Sequence, residues 1–351
     1  MHMNGTERIR AMIDMQPFDR VGVSGWVHLP MVDHHVQDMV RATIFITEYC
    51  GWDFVKIMST GHYMTEAYGG DITPSVDPCS WQGNINRFPV LCENDLQNLT
   101  VLTRENPVFN REMKIARSIK RHYKERKPVI STIFNPLTSL QELMSRGKSD
   151  KLMDMILFCP GAVKHALKKI TETIKNYVDF LIEEAHIDGI FLANQYMSSK
   201  IITERQFEEF CLPYDMELMS HIKERTWFNI LHVHGESSLM FREALKYDVQ
   251  AYSWENCAPG IPEEEIASVR FVRAHTDKVL VTGLARHYDY YESGNDRAKI
   301  KRLFLKRLQT VMDESQDRRI IFAPGCALPL DVDKYVFTIM HECVDEAGRS
   351  R

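Results

Sequence analysis

The chain has little of what marks a secreted, membrane or nucleic-acid-binding protein. None of its apolar runs approaches the roughly 18 residues of a membrane span, and its first twenty residues lack the apolar core of a signal peptide. Its eight cysteines form no CxxC pair, which predicts reduced thiols. The net charge is −5, with Lys and Arg spread along the chain. These absences predict a cytoplasmic protein that binds neither membrane nor nucleic acid.

Glycine-rich phosphate-binding loops are missing as well. No GxGxxG or GxxxxGK[ST] pattern follows an early β-rich run, which argues against an open, doubly wound nucleotide-binding sheet. The sequence does supply a 44% hydrophobic fraction over 351 residues, which is enough for a large core. It contains no internal repeat, and we predict a single domain over residues 1–351.

Eight short β-rich runs alternate with helical patterns along the chain. Between the runs, apolar residues recur at spacings of three and four, as in "GAVKHALKKITETIKNYVDFLIEEA". Parallel strands need such crossovers, and eight of them can close into a (β/α)8 TIM barrel, here with an N-terminal extension. The stretch 59–126 includes a run rich in Gly, Pro, Asn and Asp, so we expect it to lie over the C-terminal mouth. The predicted strands are residues 20–26, 53–58, 127–134, 189–194, 227–235, 250–256, 278–285 and 319–326.

Two histidines lie near the end of the fifth predicted strand, in "LHVHGE". His232 and His234 are two residues apart, so they share one face of a strand and their ring nitrogens can converge. Gly235 then allows a tight turn. Cys326 ends the eighth predicted strand, and a thiolate there would complete a three-ligand set suited to Zn²⁺. The alternative is that the two histidines only bond to backbone carbonyls at the barrel rim.

The sequence resembles the uroporphyrinogen decarboxylase superfamily over nearly its whole length, and within it the zinc-dependent methyltransferases that act with corrinoid proteins. The resemblance is carried by "NGTERIRAMIDMQPFDRVGV", "AYGGDI", "VLVTGLAR" and "IFAPGCALPLDV". It implies a zinc ion, a corrinoid (cobalamin) on a partner protein, and a small molecule that gives or accepts a methyl group. Family methyltransferases bind zinc through an HxCG strand and a late PGC turn. These motifs fall here on His232, His234 and Gly235, and on Pro324, Gly325 and Cys326.

The second zinc ligand departs from the family pattern, because His234 stands where the pattern has cysteine. Two neutral imidazoles and one thiolate would leave about one formal positive charge on the zinc site. That charge favours loss of an oxygen leaving group, so we expect O-demethylation in preference to methylation of a thiol. Glu255, at the end of the sixth predicted strand, is a candidate fourth ligand or acid/base residue. It could equally be a salt-bridged carboxylate at the rim.

Six further side chains are predicted near the mouth as substrate-binding candidates. Three of them have structural alternatives: Asn135 could cap a turn, Tyr196 could pack beneath a helix and Met58 could fill the core. The family's usual Gly-Asn-Leu-Asp-Pro turn is replaced here by "TGLAR", so its arginine would make a different substrate contact. The candidates are His28, Met58, Asn135, Asn194, Tyr196 and Arg286.

Two other functions fit the same fold, namely a metal-free uroporphyrinogen decarboxylase-like lyase and a noncatalytic ligand-binding barrel. The family's decarboxylases hold substrate carboxylates with arginines in an N-terminal "RQAGR"-like segment. The corresponding segment here reads "GWVHLPMVDHH", and no arginine lies between Arg20 and Arg41. A tetracarboxylate substrate would therefore lack its bidentate donors there, which favours the methyltransferase.

Overall fold

The structure is a computed structural model, and it describes residues 2–80, 83–145, 150–285, 288–291 and 296–349. In this part of the chain, strands and helices alternate as the sequence predicts. Most barrel strands are buried along their whole length, as expected for parallel strands covered on both faces.

Eight parallel strands form the central sheet, which curls into a TIM-barrel-like fold. Each of the eight predicted runs contains one of them, so the predicted fold class is confirmed. Two further strands pair as a separate antiparallel hairpin. The barrel strands are β1 (Gly22–Val23), β2 (Val55–Ile57), β5 (Val129–Phe134), β6 (Gly189–Asn194), β7 (Ile230–Val233), β8 (Ala251–Trp254), β9 (Val279–Leu284) and β10 (Ile320–Pro324), and the hairpin strands are β3 (Asp71–Thr73) and β4 (Asn84–Arg87). The barrel strands follow the order β1-β10-β9-β8-β7-β6-β5-β2.

Helices connect the strands and cover the outside of the barrel. They are α1 (Gly5–Ile13), α2 (Val36–Cys50), α3 (Tyr63–Ala67), α4 (Glu93–Gln97), α5 (Pro107–Tyr123), α6 (Pro136–Glu142), α7 (Asp150–Phe158), α8 (Pro160–Phe180), α9 (Glu204–Phe210), α10 (Leu212–Ile222), α11 (Phe241–Ala244), α12 (Val269–Arg273), α13 (Tyr288–Tyr291), α14 (Arg297–Ser315) and α15 (Thr338–Arg349). The helical segment after β6 divides at Cys211 into α9 and α10, because Pro213 in the first turn of α10 cannot continue the hydrogen-bond ladder of α9. Within the described ranges, no helix is long and apolar enough to cross a membrane.

The barrel closes between β1 and β2 through Asp53. The backbone N–H of Asp53 donates to the Val23 carbonyl at 2.8 Å, and the Asp53 carboxylate accepts the Val23 N–H at 2.8 Å. The same carboxylate accepts hydrogen bonds from Arg8 at 2.6 Å and from Arg20 at 2.9 Å. Arg8 belongs to α1 and is 1% exposed. Asp53 therefore ties the N-terminal extension to the seam of the barrel.

The segment after β2 forms the expected insertion, but helix α5 at the end of this segment lies on the outside of the barrel. The insertion contains α3, the hairpin and α4, and it packs toward α6 and α8. The Val90 N–H donates to the Leu143 carbonyl at 3.0 Å, and the Lys151 ammonium donates to the Val90 carbonyl at 3.2 Å. Helix α5, which ends the predicted 59–126 stretch, instead packs on α2 outside the barrel and leads into β5. Asn106 caps α5 and Pro107 begins it, which fixes where the insertion ends.

Candidate metal centre

Three predicted metal ligands meet at the C-terminal end of the barrel. His232 lies in β7, His234 follows β7 directly, and Cys326 lies two residues beyond β10. Gly235 has φ of +128°, a conformation that L side chains rarely adopt, and this lets the chain turn away after His234. The turn leaves both imidazoles directed toward the cavity side of the barrel.

The distances within this triad suit a tetrahedral zinc ion. His234 Nδ1 lies 3.4 Å from His232 Nε2 and 3.8 Å from Cys326 Sγ, and the three ligand atoms lie within 4.8 Å of one another. Zn–N bonds of about 2.1 Å and a Zn–S bond of about 2.3 Å would place tetrahedral neighbours about 3.4 Å and about 3.6 Å apart. Among the residues that the structure describes, no other group of three or more His, Cys, Asp or Glu meets this distance criterion.

The imidazole of His232 is held in one orientation by its neighbours. Its Nδ1 lies 3.2 Å from the Ser253 hydroxyl on β8, and its ring stacks on Phe191 with centroids 5.1 Å apart. The side chain is 4% exposed. A hydrogen bond at Nδ1 leaves Nε2 to face the centre of the triad, which is the arrangement typical of a metal-binding histidine.

The charges at the site also suit metal binding. Burial by itself would raise the pKa of the Cys326 thiol, but the hydrogen bonds and charges of His232 and His234 outweigh burial and hold that pKa well below its usual range. Burial lowers the pKa of His232, and the neighbouring thiolate only partly opposes this. A thiolate beside a neutral imidazole is the protonation state that a zinc ion requires of these ligands.

Gly325 sets the position of Cys326. Its N–H donates to the Leu284 carbonyl at 2.9 Å, which continues the pairing of β10 with β9 by one residue. A Cβ atom at this position would lie 2.7 Å from the Glu255 Cα and 2.5 Å from its carboxyl carbon, so a larger residue would collide with backbone. Glycine therefore allows the chain to pass Glu255 and bring the thiol of Cys326 to the triad.

A cavity of about 370 Å³ lies beside the triad. Its lining combines apolar and aromatic side chains with polar and ionisable ones. Two of the predicted substrate-binding residues, His28 and Met58, line it. Burial lowers the pKa of His28 to about 4, with a further contribution from the charge of Lys56. The lining residues are Trp26, His28, Lys56, Met58, Ser59, Gly61, Thr132, Phe134, Glu142, Phe191, Ala193, Gln195, His232, His234, Cys326 and Ala327.

Three other predicted substrate-binding residues lie behind the cavity wall. The amide nitrogens of Asn135 and Asn194 donate to the Asp215 carboxylate at 3.0 and 2.9 Å. Asn135 also accepts the Thr138 N–H and so caps α6. The Tyr196 hydroxyl donates to a buried glutamine side chain at 2.6 Å. All three residues are fully buried and are not among the cavity-lining residues, so the structure gives them roles within the fold.

Of the two remaining predicted residues, the structure describes Glu255 and places it outside the triad. Glu255 follows β8, is 3% exposed and packs against Gly325. It belongs neither to the cluster of ligand atoms nor to the residues that line the cavity. Arg286 lies outside the described residues.

Sequence reasoning did not single out Lys56, which lies at the centre of β2 and lines the cavity. The side chain is 6% exposed, and burial lowers the pKa of its ammonium to about 7. The available signal was a lysine within the otherwise apolar run "FVKIM". Such a lysine in a strand that is buried on both faces has no route to solvent along the sheet.

Known proteins resemble this chain at the level of family and fold. The family model "Uroporphyrinogen decarboxylase (URO-D)" matches residues 9–347. A methyltransferase from Methanosarcina mazei has a TM-score of 0.78 at 17% identity, with 99% of each chain covered. A B12-independent methionine synthase from Shewanella sp. W3-18-1 has a TM-score of 0.59 at 10% identity, with 95% of this chain and 100% of that chain covered. No curated protein is significantly similar in sequence.

Proposed function

This chain belongs to the uroporphyrinogen decarboxylase family, and from that premise we propose that it is a zinc-dependent methyltransferase acting with a corrinoid protein. The observation that carries this proposal is the convergence of His232 Nε2, His234 Nδ1 and Cys326 Sγ within 4.8 Å of one another beside a cavity. The fold shared with the Methanosarcina mazei methyltransferase supports it. The substrate would be a small O-methyl compound or a thiol, and the corrinoid would be carried by a partner protein.

The triad would supply three of the four positions around a tetrahedral metal. Zinc held there would act as a Lewis acid toward the oxygen or sulfur atom of the substrate. In ether cleavage the methyl group passes as a formal cation to the reduced cobalt of the corrinoid, while the oxygen keeps the bonding electrons and takes a proton from water. In thiol methylation the methyl group passes in the opposite direction, and the thiol loses its proton.

We favour ether cleavage, because of the charge of the ligand set. With neutral His232, neutral His234 and a Cys326 thiolate, the zinc site keeps about one positive charge. A positive site helps a poor oxygen leaving group to depart, whereas it reduces the nucleophilicity of a bound thiolate. This charge takes Glu255 as a non-ligand, which its position outside the cluster of ligand atoms supports.

A decarboxylase function is less well supported by the same cavity. Among the described residues that line it, there is one lysine and no arginine. A substrate with several carboxylates would need several bidentate donors, which guanidinium groups supply best. The lining thus suits a ligand of lower charge than a tetracarboxylate.

The proposal is tested first by metal content. We expect the purified protein to hold about one zinc per chain, and Cys326→Ser to lose most of it, because a hydroxyl is a much weaker zinc ligand than a thiolate. Cys79→Ser is the matched control, since Cys79 is exposed and is not part of the cluster. Zinc-free wild-type protein, or equal zinc in both variants, would refute the proposed site.

Methyl transfer is then measured with free cobalamin. The zinc-loaded protein should convert reduced cobalamin to methylcobalamin in the presence of a methyl ether, followed by the change in the visible absorption of the corrinoid. Cys326→Ser should lower this rate by at least about a hundredfold, as expected when an electrophilic group worth several kcal/mol is lost. Release of CO2 from a carboxylated substrate without zinc would support the decarboxylase instead.

A further inference from the structure

Lys56 places a positive charge inside the barrel. Its residue sits between Val55 and Ile57 in β2, and its ammonium reaches the same cavity as the triad. The Nζ atom lies 4.5 Å from the centroid of the Phe191 ring and 5.5 Å from that of Trp26. It donates a hydrogen bond to the Met58 sulfur at 2.7 Å. The ammonium is therefore surrounded by aromatic faces and a thioether, which are weak partners for a charge.

No carboxylate in the described part of the chain forms an ion pair with Lys56. The carboxylate that lines the cavity, Glu142, lies 3.6 Å from Nδ1 of the buried His62. Removing an ammonium from water costs far more than two cation–π contacts return. The depressed pKa of Lys56 reflects this cost, and packing alone does not explain why the strand has a lysine here.

A zinc-loaded triad and the protonated Lys56 side chain would contribute charge of the same sign to one cavity. Zinc bound by two neutral imidazoles and one thiolate carries about one positive charge, and the ammonium adds another. The Cys326 thiolate, whose charge acts on Lys56, would be neutralised by the metal it binds. The Phe191 ring contacts both groups, since the Lys56 ammonium lies 4.5 Å from its centroid and the His232 ring stacks on it. A zinc-loaded cavity would then favour a ligand that brings a negative group.

We propose that Lys56 is the counter-ion for a negatively charged group of the substrate, so that the enzyme acts on small methyl ethers that bear a carboxylate or a similar anion. This inference rests on the proposed function, because it takes the methyl-bearing substrate to bind in the cavity that the triad lines. The anion lies against the Lys56 ammonium, and the apolar body of the molecule packs on Phe191 and Trp26. The ether oxygen is then directed toward the triad.

The inference is tested by binding, independently of methyl transfer. Isothermal titration calorimetry on the zinc-loaded protein compares methoxyacetate, 3-methoxybenzoate and 4-methoxybenzoate, each with its neutral amide. At least one acid should bind more tightly than its amide by about tenfold or more, as expected for a desolvated charge pair. In Lys56→Met that preference should fall to near unity, while binding of the amide changes little. Lys114→Met, at an exposed position, is the control for loss of one charge and should keep the preference.

Two measurements on the same samples separate the possible failures. Zinc content reports the triad, so wild-type protein without zinc would refute the proposed function itself. If zinc is bound but no acid binds more tightly than its amide, or if Lys56→Met keeps the preference, the inference about Lys56 is overturned while the metal site stands. Thermal unfolding should show Lys56→Met at least as stable as the wild type, since an uncompensated buried charge is replaced by an apolar chain. Failure of both Lys56→Met and Lys56→Gln to fold would assign Lys56 to the fold and overturn the inference.

Discussion

His234 is the proposed zinc ligand that departs from the family pattern, in which cysteine holds this position. It presents Nδ1, the ring nitrogen nearer the backbone, to both His232 and Cys326. A cysteine sulfur also lies close to its own Cβ, so the two side chains reach a metal from similar backbone positions. The substitution of His for Cys therefore changes the charge of the proposed zinc site more than its shape.

That difference gives a prediction at the residue scale. His234→Cys would replace a neutral ligand by a thiolate and make the zinc site formally neutral. We expect the rate of ether cleavage with reduced cobalamin to fall about tenfold or more, and any methylation of a thiol by methylcobalamin to rise, because less positive charge remains on the metal. Zinc content should stay near one per chain.

The control for this variant is His275→Cys, which adds a thiol at an exposed position away from the cluster and should change neither rate. A wild-type protein that methylates thiols faster than it cleaves ethers would contradict the prediction that a positively charged zinc site favours ether cleavage. So would a His234→Cys variant with unchanged preference.

At the scale of elements, the end of β10 determines where the thiol lies. Gly325 passes so close to Glu255 that there is no room for a Cβ atom. In Gly325→Ala the chain must shift by more than a few tenths of an ångström, and Cys326 follows directly. We expect a loss of unfolding free energy of about 1–3 kcal/mol, typical of overpacking, together with a weaker hold on zinc.

Chemical denaturation and zinc competition with a chelator measure the two effects. Gly161→Ala is the matched control, because a Cβ atom at Gly161 meets nothing within 4 Å and the residue lies in the first turn of α8, where alanine is favoured over glycine. That control should be neutral or slightly stabilising. Wild-type zinc affinity in Gly325→Ala would show that the turn tolerates a side chain.

At the scale of the whole molecule, stability and chemistry lie at opposite ends of the barrel. Asp53 precedes β2 and closes the seam to β1, whereas the triad lies at or just beyond the C-terminal ends of β7 and β10. This separation is typical of TIM barrels, in which the C-terminal face carries the site and the other face carries stability.

Asp53→Ala should therefore destabilise the protein without altering its ligands. It leaves the buried guanidinium of Arg8 with one carboxylate fewer and the Val23 N–H without its side-chain acceptor. We expect the free energy of unfolding to fall by about 3–5 kcal/mol, the range for breaking a buried ion pair. Asp38→Ala, which breaks an exposed pair with Arg41, should cost less than about 1 kcal/mol. The folded fraction of Asp53→Ala should still bind one zinc per chain, and a loss of zinc from folded protein would contradict the separation.

The sequence by itself determined the barrel and placed the three metal-ligand candidates. Strand and helix periods are local properties, so alternation of the two patterns was enough to predict eight parallel strands in order. The spacing of His232 and His234 fixed their shared face in the same way, because side chains alternate along a strand. A glycine before Cys326 and another after His234 marked the two turns at which the chain leaves its strands.

Tertiary structure decided which of the other strand-end residues reach the cavity. Asn135 and Asn194 lie near the C-terminal ends of strands as His232 does, yet both donate to Asp215, which α10 brings from a distant part of the chain. A buried carboxylate that accepts several hydrogen bonds stabilises these amides more than an open cavity would. The sequence around each asparagine does not indicate where that carboxylate lies in the fold. Lys56 shows the converse. Its strand fixes which face it occupies, but the absence of a carboxylate partner among the described residues follows from the packing of the whole barrel.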